Sequence, residues 1–183
     1  MTTRMEYARR PVALCLEHME RVVDEIASAI RGKSDAILSR RPAPASWAAK
    51  EVVCHLRDIE ELFLLRFRTM LAMDEPKFLV LGEMPDDRET WGLVEGDAMP
   101  LDPDRWAKER QYLRHDAAAA LAALRRRREE SLAFLRRLTP AQWRRGSVHV
   151  TLGRMTFADW VALIAAHDDK HLDQLKRAIE GRP

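Results

Sequence analysis

Only 7 of the 183 residues are glycine and only 2 are cysteine. Two thiols, Cys15 and Cys54, cannot form a disulfide framework, so a reducing, cytoplasmic compartment is expected. No apolar run reaches membrane-spanning length, and the opening Met1-Thr2-Thr3-Arg4 turns polar at once, unlike a signal peptide. Neither charge dominates: 31 basic against 29 acidic residues leave a formal net charge of +2. That balance gives no argument for nucleic acid or an anionic membrane as partner, and neither is expected. Scarce glycine beside abundant Ala, Leu, Arg and Glu favours an all-α fold. The length suits one domain over residues 1–183, with a sizeable core.

The most informative stretch lies near the C-terminus. Phe157, Trp160, Ile164, His167, His171, Leu175 and Ala178 step by three or four residues and so share one helical stripe. Thr156 and Asp159 have the spacing of a capping box at its start. The stripe is apolar except for His167 and His171, one turn apart, which lets two imidazoles converge on one point.

Earlier in the chain, a first helix is predicted over residues 7–30, with Leu14, Met19, Val22, Val23, Ile26 and Ile30 inward and Gly32 ending it. His18 reads as a solvated or structurally satisfied histidine. Pro42 and Pro44 exclude helix, after which Ser46 offers an N-cap for a second helix over 47–73. Its inward stripe is Val52, His55, Ile59, Leu62 and Arg66, with Cys54 a buried small hydrophobe. Residues 77–103 break every period and form a long connection, in which Trp91 and Met84 fill the core edge or cover a pocket. Asp102 or Asp104 caps a short helix, and His115 is expected to be exposed. Asp116 opens a third long helix over 117–138. Its run Arg125 to Arg128, beside Glu129 and Glu130, reads as a solvated face with salt bridges. Thr139-Pro140 starts a brief turn. The alternating Val148, Val150 and Leu152 suggest an extended crossover, where a ligand role for His149 is not expected. Four long helices joined by long connections, between second and third and between third and fourth, outline a four-helix bundle with long crossovers.

His55, His167 and His171 thus lie on the inward stripes of two helices. The plain alternative is three core histidines with ordinary hydrogen-bond partners. Three neutral imidazoles with an open fourth position instead describe a catalytic metal site, and they suit zinc, nickel, copper, iron or cobalt.

The segment with Trp47 leading to His55-Leu56-Arg57-Asp58 resembles the second-helix signature of the DinB-like superfamily: a Trp-containing start, a metal-binding His, then a Leu-x-Asp step. His167-Asp168-Asp169-Lys170-His171, ahead of Gln174, is similar to that family's closing motif. The resemblance runs from about residue 10 to 180 and is nearest to the bacillithiol S-transferase-like subgroup. It implies a four-helix bundle, often dimeric, that holds a divalent transition metal, zinc or nickel foremost, on His55, His167 and His171. It also implies a low-molecular-weight thiol as possible second cofactor and a small-molecule substrate. A homodimer is therefore expected.

Three functions compete at this stage. The first is a metal-dependent thiol S-transferase acting on small electrophiles, with Arg57, Arg66 and Arg114 as candidates to hold the thiol's carboxylates, a surface role being the favoured reading for each. Asp58, one turn after His55, either orients that ligand or is an exposed helix acid, the second reading being favoured. The second function is a metal-activated hydrolase, whose general base would have to be Asp168 or Asp58. The third is a non-enzymatic metal-binding stress-response protein. Under any of them, metal affinity should fall as pH drops through about 6.5, where free imidazole takes up protons.

Overall fold

The computed structural model describes residues 2–78 and 102–183. The expected roles of Met84 and Trp91 fall outside them. The described chain is mostly helical. Four long helices dominate: α2 (Val12–Ile30), α4 (Ala49–Ala72), α6 (Ala117–Arg136) and α8 (Phe157–Ile179). Shorter helices α1 (Arg4–Ala8), α3 (Asp35–Ser39), α5 (Pro103–Glu109) and α7 (Pro140–Trp143) connect or flank them. A small sheet is made of β1 (Lys77–Phe78), β2 (Gly146–His149) and β3 (Gly153–Thr156).

The main packing forms a ring: α2 on α8, α8 on α4, α4 on α6, and α6 back on α2. Consecutive long helices α2 and α4 therefore sit diagonally, as do α6 and α8. A diagonal step needs a long connection, so the segment between Ile30 and Ala49 crosses the bundle, as does the expected one between α6 and α8. Helices α4 and α6 are direct neighbours, so the step expected between second and third long helices is not a diagonal one.

Several boundaries differ from the sequence-based expectation. The first helix is split at Pro11, which has no N–H to continue the ladder, and α1 turns away. Leu14, expected inward, is 50% exposed as a result. Gly32 does end α2, with φ of 70°. Ser46 is not the cap of α4. Ala48 holds that position, and the Glu51 carboxylate accepts from its N–H at 2.9 Å. The expected capping box opens α8: the Asp159 carboxylate accepts from Thr156 N at 2.9 Å, and Thr156 Oγ1 accepts from Asp159 N at 3.3 Å.

The extended crossover is a hairpin. β2 pairs antiparallel with β3, His149 opposite Gly153, and β1 pairs parallel with β2, Phe78 opposite His149. Trp160 Nε1 donates to Ser147 Oγ at 2.8 Å, which fixes the hairpin to the first turns of α8.

The core has two apolar halves. One gathers around Met19, Phe63, Phe67, Phe157 and Trp160, the other around Ile26, Val52, Leu124, Leu172 and Leu175. Between them runs a polar layer made of His18, His55, Glu60, Arg128, Asp168 and His171, all buried. Arg128 donates to Asp168 at 2.6 and 3.1 Å and pairs with Glu60 at 2.8 Å. This corrects the reading of the arginine run as wholly solvated. Arg125 and Arg127 do pair with acids at the surface, but Arg128 is 3% exposed.

Candidate metal centre

His55 on α4 and His167 and His171 on α8 meet where that polar layer reaches the α4–α8 seam. Each offers a ring nitrogen, and these three atoms lie within 4.8 Å of one another. His55 Nε2 and His167 Nε2 are 3.3 Å apart. Two imidazole nitrogens held ~2.0–2.1 Å from one tetrahedral ion would be separated by about that distance. His171 Nδ1 donates to Gln174 Oε1 at 2.8 Å, which leaves its Nε2 as the lone-pair atom. The Nδ1 atoms of His55 and His167 are buried and have no hydrogen-bond partner among the described residues. Trp47 packs edge-on to His55 at 4.9 Å, and Phe63 covers His167 at 6.1 Å.

Burial keeps all three rings neutral. It lowers His55 to about 3, with His171 adding to the effect. His171 is lowered to about 4 by burial, which the Gln174 hydrogen bond only partly offsets. His167 falls well below the ordinary imidazole value, again by burial and then by its two neighbours. Neutral imidazoles are what a metal ion needs. The set fits such an ion in donor chemistry, convergence and protonation. Burial moves competing protonation of the folded rings below the ordinary imidazole range, so the loss of metal affinity is expected at lower pH than about 6.5.

The centre opens on a cavity of about 650 Å³ lined by Trp47, Ile59, Phe63, Trp160 and Leu163 among others, with Arg66, Lys170 and Arg177 as its cations. Of the three arginines that are candidates to hold a cofactor carboxylate, Arg66 lines the cavity and Arg57 and Arg114 do not. Arg57 is bonded to Asp58 and His115, and Arg114 to the side chain of Gln111. His115, expected to be exposed, is half-buried by its contact with Arg57.

Neither carboxylate expected near the metal is available to it. Asp58 is buried, not an exposed helix acid, and accepts from Arg57, Arg110 and Tyr112 at 2.7, 2.7 and 2.9 Å. Burial alone would raise its carboxyl, but those donors hold it down at about 2. Asp168 points into the bundle, held by Arg128. His18, expected to be solvated or structurally satisfied, is buried: Arg21 bonds its Nδ1 at 2.9 Å, while its Nε2, 3.1 Å from Asp169, makes no hydrogen bond among the described residues.

Sequence reasoning did not single out Gln174 or Trp47 as partners of the histidines. The three-residue step from His171 to Gln174 was the available signal, since such pairs are neighbours on a helix. Nothing local indicated that Asp104 would accept from Trp47 Nε1 at 2.7 Å and so fix that indole at the pocket rim.

Comparison with known proteins gives a consistent picture. The sequence profile of the DinB superfamily matches residues 16–175. The uncharacterized protein YuaE of Bacillus subtilis is 24% identical over 157 residues, covering 82% of this chain and 88% of its own. A protein of Oceanobacillus iheyensis, named provisionally as a metal-dependent hydrolase, is 21% identical over 164 residues, covering 90% of this chain and 83% of its own. Among solved structures, YfiT from Bacillus subtilis is described as a probable metal-dependent hydrolase with an unusual four-helix bundle topology. It superposes with a TM-score of 0.74 at 21% identity, covering 91% of this chain and 85% of YfiT.

Proposed function

The chain belongs to the DinB superfamily, and from that membership and the histidine cluster we propose a divalent-metal-dependent enzyme that transfers a low-molecular-weight thiol to small electrophiles. His55, His167 and His171 hold the ion, zinc or nickel, in this reading. The observation that carries it is the convergence of three neutral imidazoles, two of them 3.3 Å apart, at the wall of a cavity large enough for a small molecule. An ion bound there acts as a Lewis acid and favours the thiolate form of a thiol at neutral pH. The protein's own contribution is orientation and exclusion of water. Gln174 fixes the His171 ring, and Trp47 and Phe63 shield the other two.

A metal-activated hydrolase is the second reading, favoured by the names of the Oceanobacillus relative and of YfiT. The ion pairs of Asp58 and Asp168 weigh against it, because they occupy the two carboxylates proposed as general base. Turnover of an aryl halide electrophile, with and without thiols and with and without metal, tests the choice. Product formation that needs both thiol and metal is expected. Ester or amide hydrolysis without thiol would favour the second reading instead, and metal binding with neither activity would favour a non-enzymatic stress-response protein. A homodimer is part of the proposal on the family resemblance, and light scattering showing a monomer at micromolar concentration would remove it.

A further inference from the structure

Helix α8 lines the cavity with a polar stripe, His167, Lys170, His171 and Gln174, at steps of three and four residues. The metal centre takes the two imidazoles and leaves two nitrogen donors of the stripe unused. Gln174 Oε1 accepts from His171 Nδ1 at 2.8 Å, which turns its amide NH2 group the other way. Among the described residues, neither that amide nitrogen nor Lys170 Nζ has a hydrogen-bond or ion-pair partner. The two residues are one helical turn apart, about 6 Å along the axis. Lys170 is exposed and Gln174 half-buried, so both can meet a ligand in the cavity.

The acids around the centre are committed elsewhere. Asp168 is bonded to Arg128 at 2.6 and 3.1 Å. Asp169 accepts from the Tyr7 hydroxyl at 2.8 Å, and Asp173 pairs with Arg177 at 3.1 Å. Among the described residues, Asp104 is the one carboxylate that lines the cavity, and it accepts from Trp47 Nε1 at 2.7 Å. A divalent ion on three neutral imidazoles therefore keeps its whole charge. Lys170 adds another beside it: its ammonium opposes positive charge on each of the three histidines. An ammonium next to a dication is unfavourable unless an anion joins them. With no such anion among the described residues, it has to come with the ligand.

We infer that Lys170 Nζ and the Gln174 amide NH2 group form a subsite for a carboxylate on the ligand that reaches the metal centre. One cation and one neutral donor suit a singly charged group, whereas a phosphate monoester carries nearly two charges at neutral pH. The subsite deepens the proposed function and rests on it for placing a thiol on the ion. The ligand is then an acidic thiol, with its sulfur toward the three histidines and its carboxylate at Lys170 and Gln174. The arrangement also ties the two sites together. A carboxylate that accepts from the Gln174 amide makes Oε1 a better acceptor for His171 Nδ1–H, which supports the ring that holds the ion.

The test compares β-mercaptopropionate with its amide, which has the same length and no charge. Both are titrated calorimetrically into zinc-loaded, full-length protein at low ionic strength. The acid is expected to bind about fivefold tighter than the amide, the scale of one exposed ion pair. Lys170→Gln should lower that ratio about threefold or more, and Lys170→Arg should retain it. Taking the ratio cancels any change in how the sulfur binds. Equal affinities in the wild type would overturn the subsite. So would a ratio that Lys170→Gln leaves as it was, because the carboxylate would then be held by the ion. The same titrations on cobalt-loaded protein show, by the thiolate-to-metal charge-transfer band, whether the sulfur is on the ion. The band with both probes and no preference removes the subsite and leaves the thiol reading standing. A preference lost in Lys170→Gln, with no band, keeps the subsite and removes that reading.

Discussion

At the scale of single residues, the three histidines are not equivalent. His171 is held by Gln174, whereas the Nδ1 atoms of His55 and His167 have no hydrogen-bond partner among the described residues. Removing any ligand from a tridentate site removes most of its affinity, so His167→Ala is expected to abolish stoichiometric metal. Elemental analysis of protein purified without an affinity tag should find about one transition metal per chain in the wild type. Full occupancy in His167→Ala would end the assignment. Gln174→Leu keeps all three ligands but frees the His171 ring. Metal affinity should drop about 10- to 100-fold, the usual effect of losing an outer partner of a ligating histidine. Competition with a chromogenic chelator measures it, and an unchanged affinity would show that packing alone orients the ring.

The element scale shows which parts of the fold could be read in advance. The stripes of α4 and α8 were legible because burial there repeats with the helical period, and both stripes carried the histidines inward with them. Arg128 was not legible. Its neighbours Arg125 and Arg127 are surface residues of the same run, and only the tertiary placement of Glu60 on α4 and Asp168 on α8 makes position 128 a buried one. Asp58 misled for the same reason, since its donors Arg110 and Tyr112 come from a segment more than 50 residues away. His149 gives no signal in the sequence, because an isolated histidine in a strand has no periodic pattern to place it. Its environment comes from a turn that wraps the ring and from α8 beneath. The Arg128 cluster also gives this scale its prediction. Arg128→Met leaves two buried carboxylates without their cation, and burial already raises the pKa of Glu60. Removing one partner of a buried ion pair costs about 3–5 kcal/mol, so the urea midpoint should fall accordingly. A loss below about 1 kcal/mol would mean that the carboxylates take up protons and repack at little cost.

For the whole molecule, the question is what the ion contributes to a bundle that has two apolar core halves of its own. Both halves are packed without reference to the histidines, so the metal-free chain should keep its helices. At neutral pH the three rings are already uncharged, and removing the ion exposes no buried charge. A chelator should therefore lower the melting temperature and leave helical circular dichroism at room temperature intact. Acid acts on two separate equilibria. The unfolded chain takes up protons on its histidines below about 6.5, whereas folded His171 and His55 do so only near about 4 and about 3. Between those values the unfolded state binds more protons, so stability rises with pH and is lost as pH falls from about 6.5 through the folded values. That loss is common to metal-free and metal-loaded protein. The difference between them depends on the folded, metal-free rings alone, so the gain in melting temperature from metal should hold from pH 7 to about 5 and shrink only as pH approaches 4. Thermal scans at constant free metal, with and without chelator, separate the two effects. A metal-dependent gain that halves between pH 7 and 6 would show that the rings are hydrated in the metal-free protein, and complete unfolding by chelator at pH 7 would show that the two core halves do not hold the bundle without the ion.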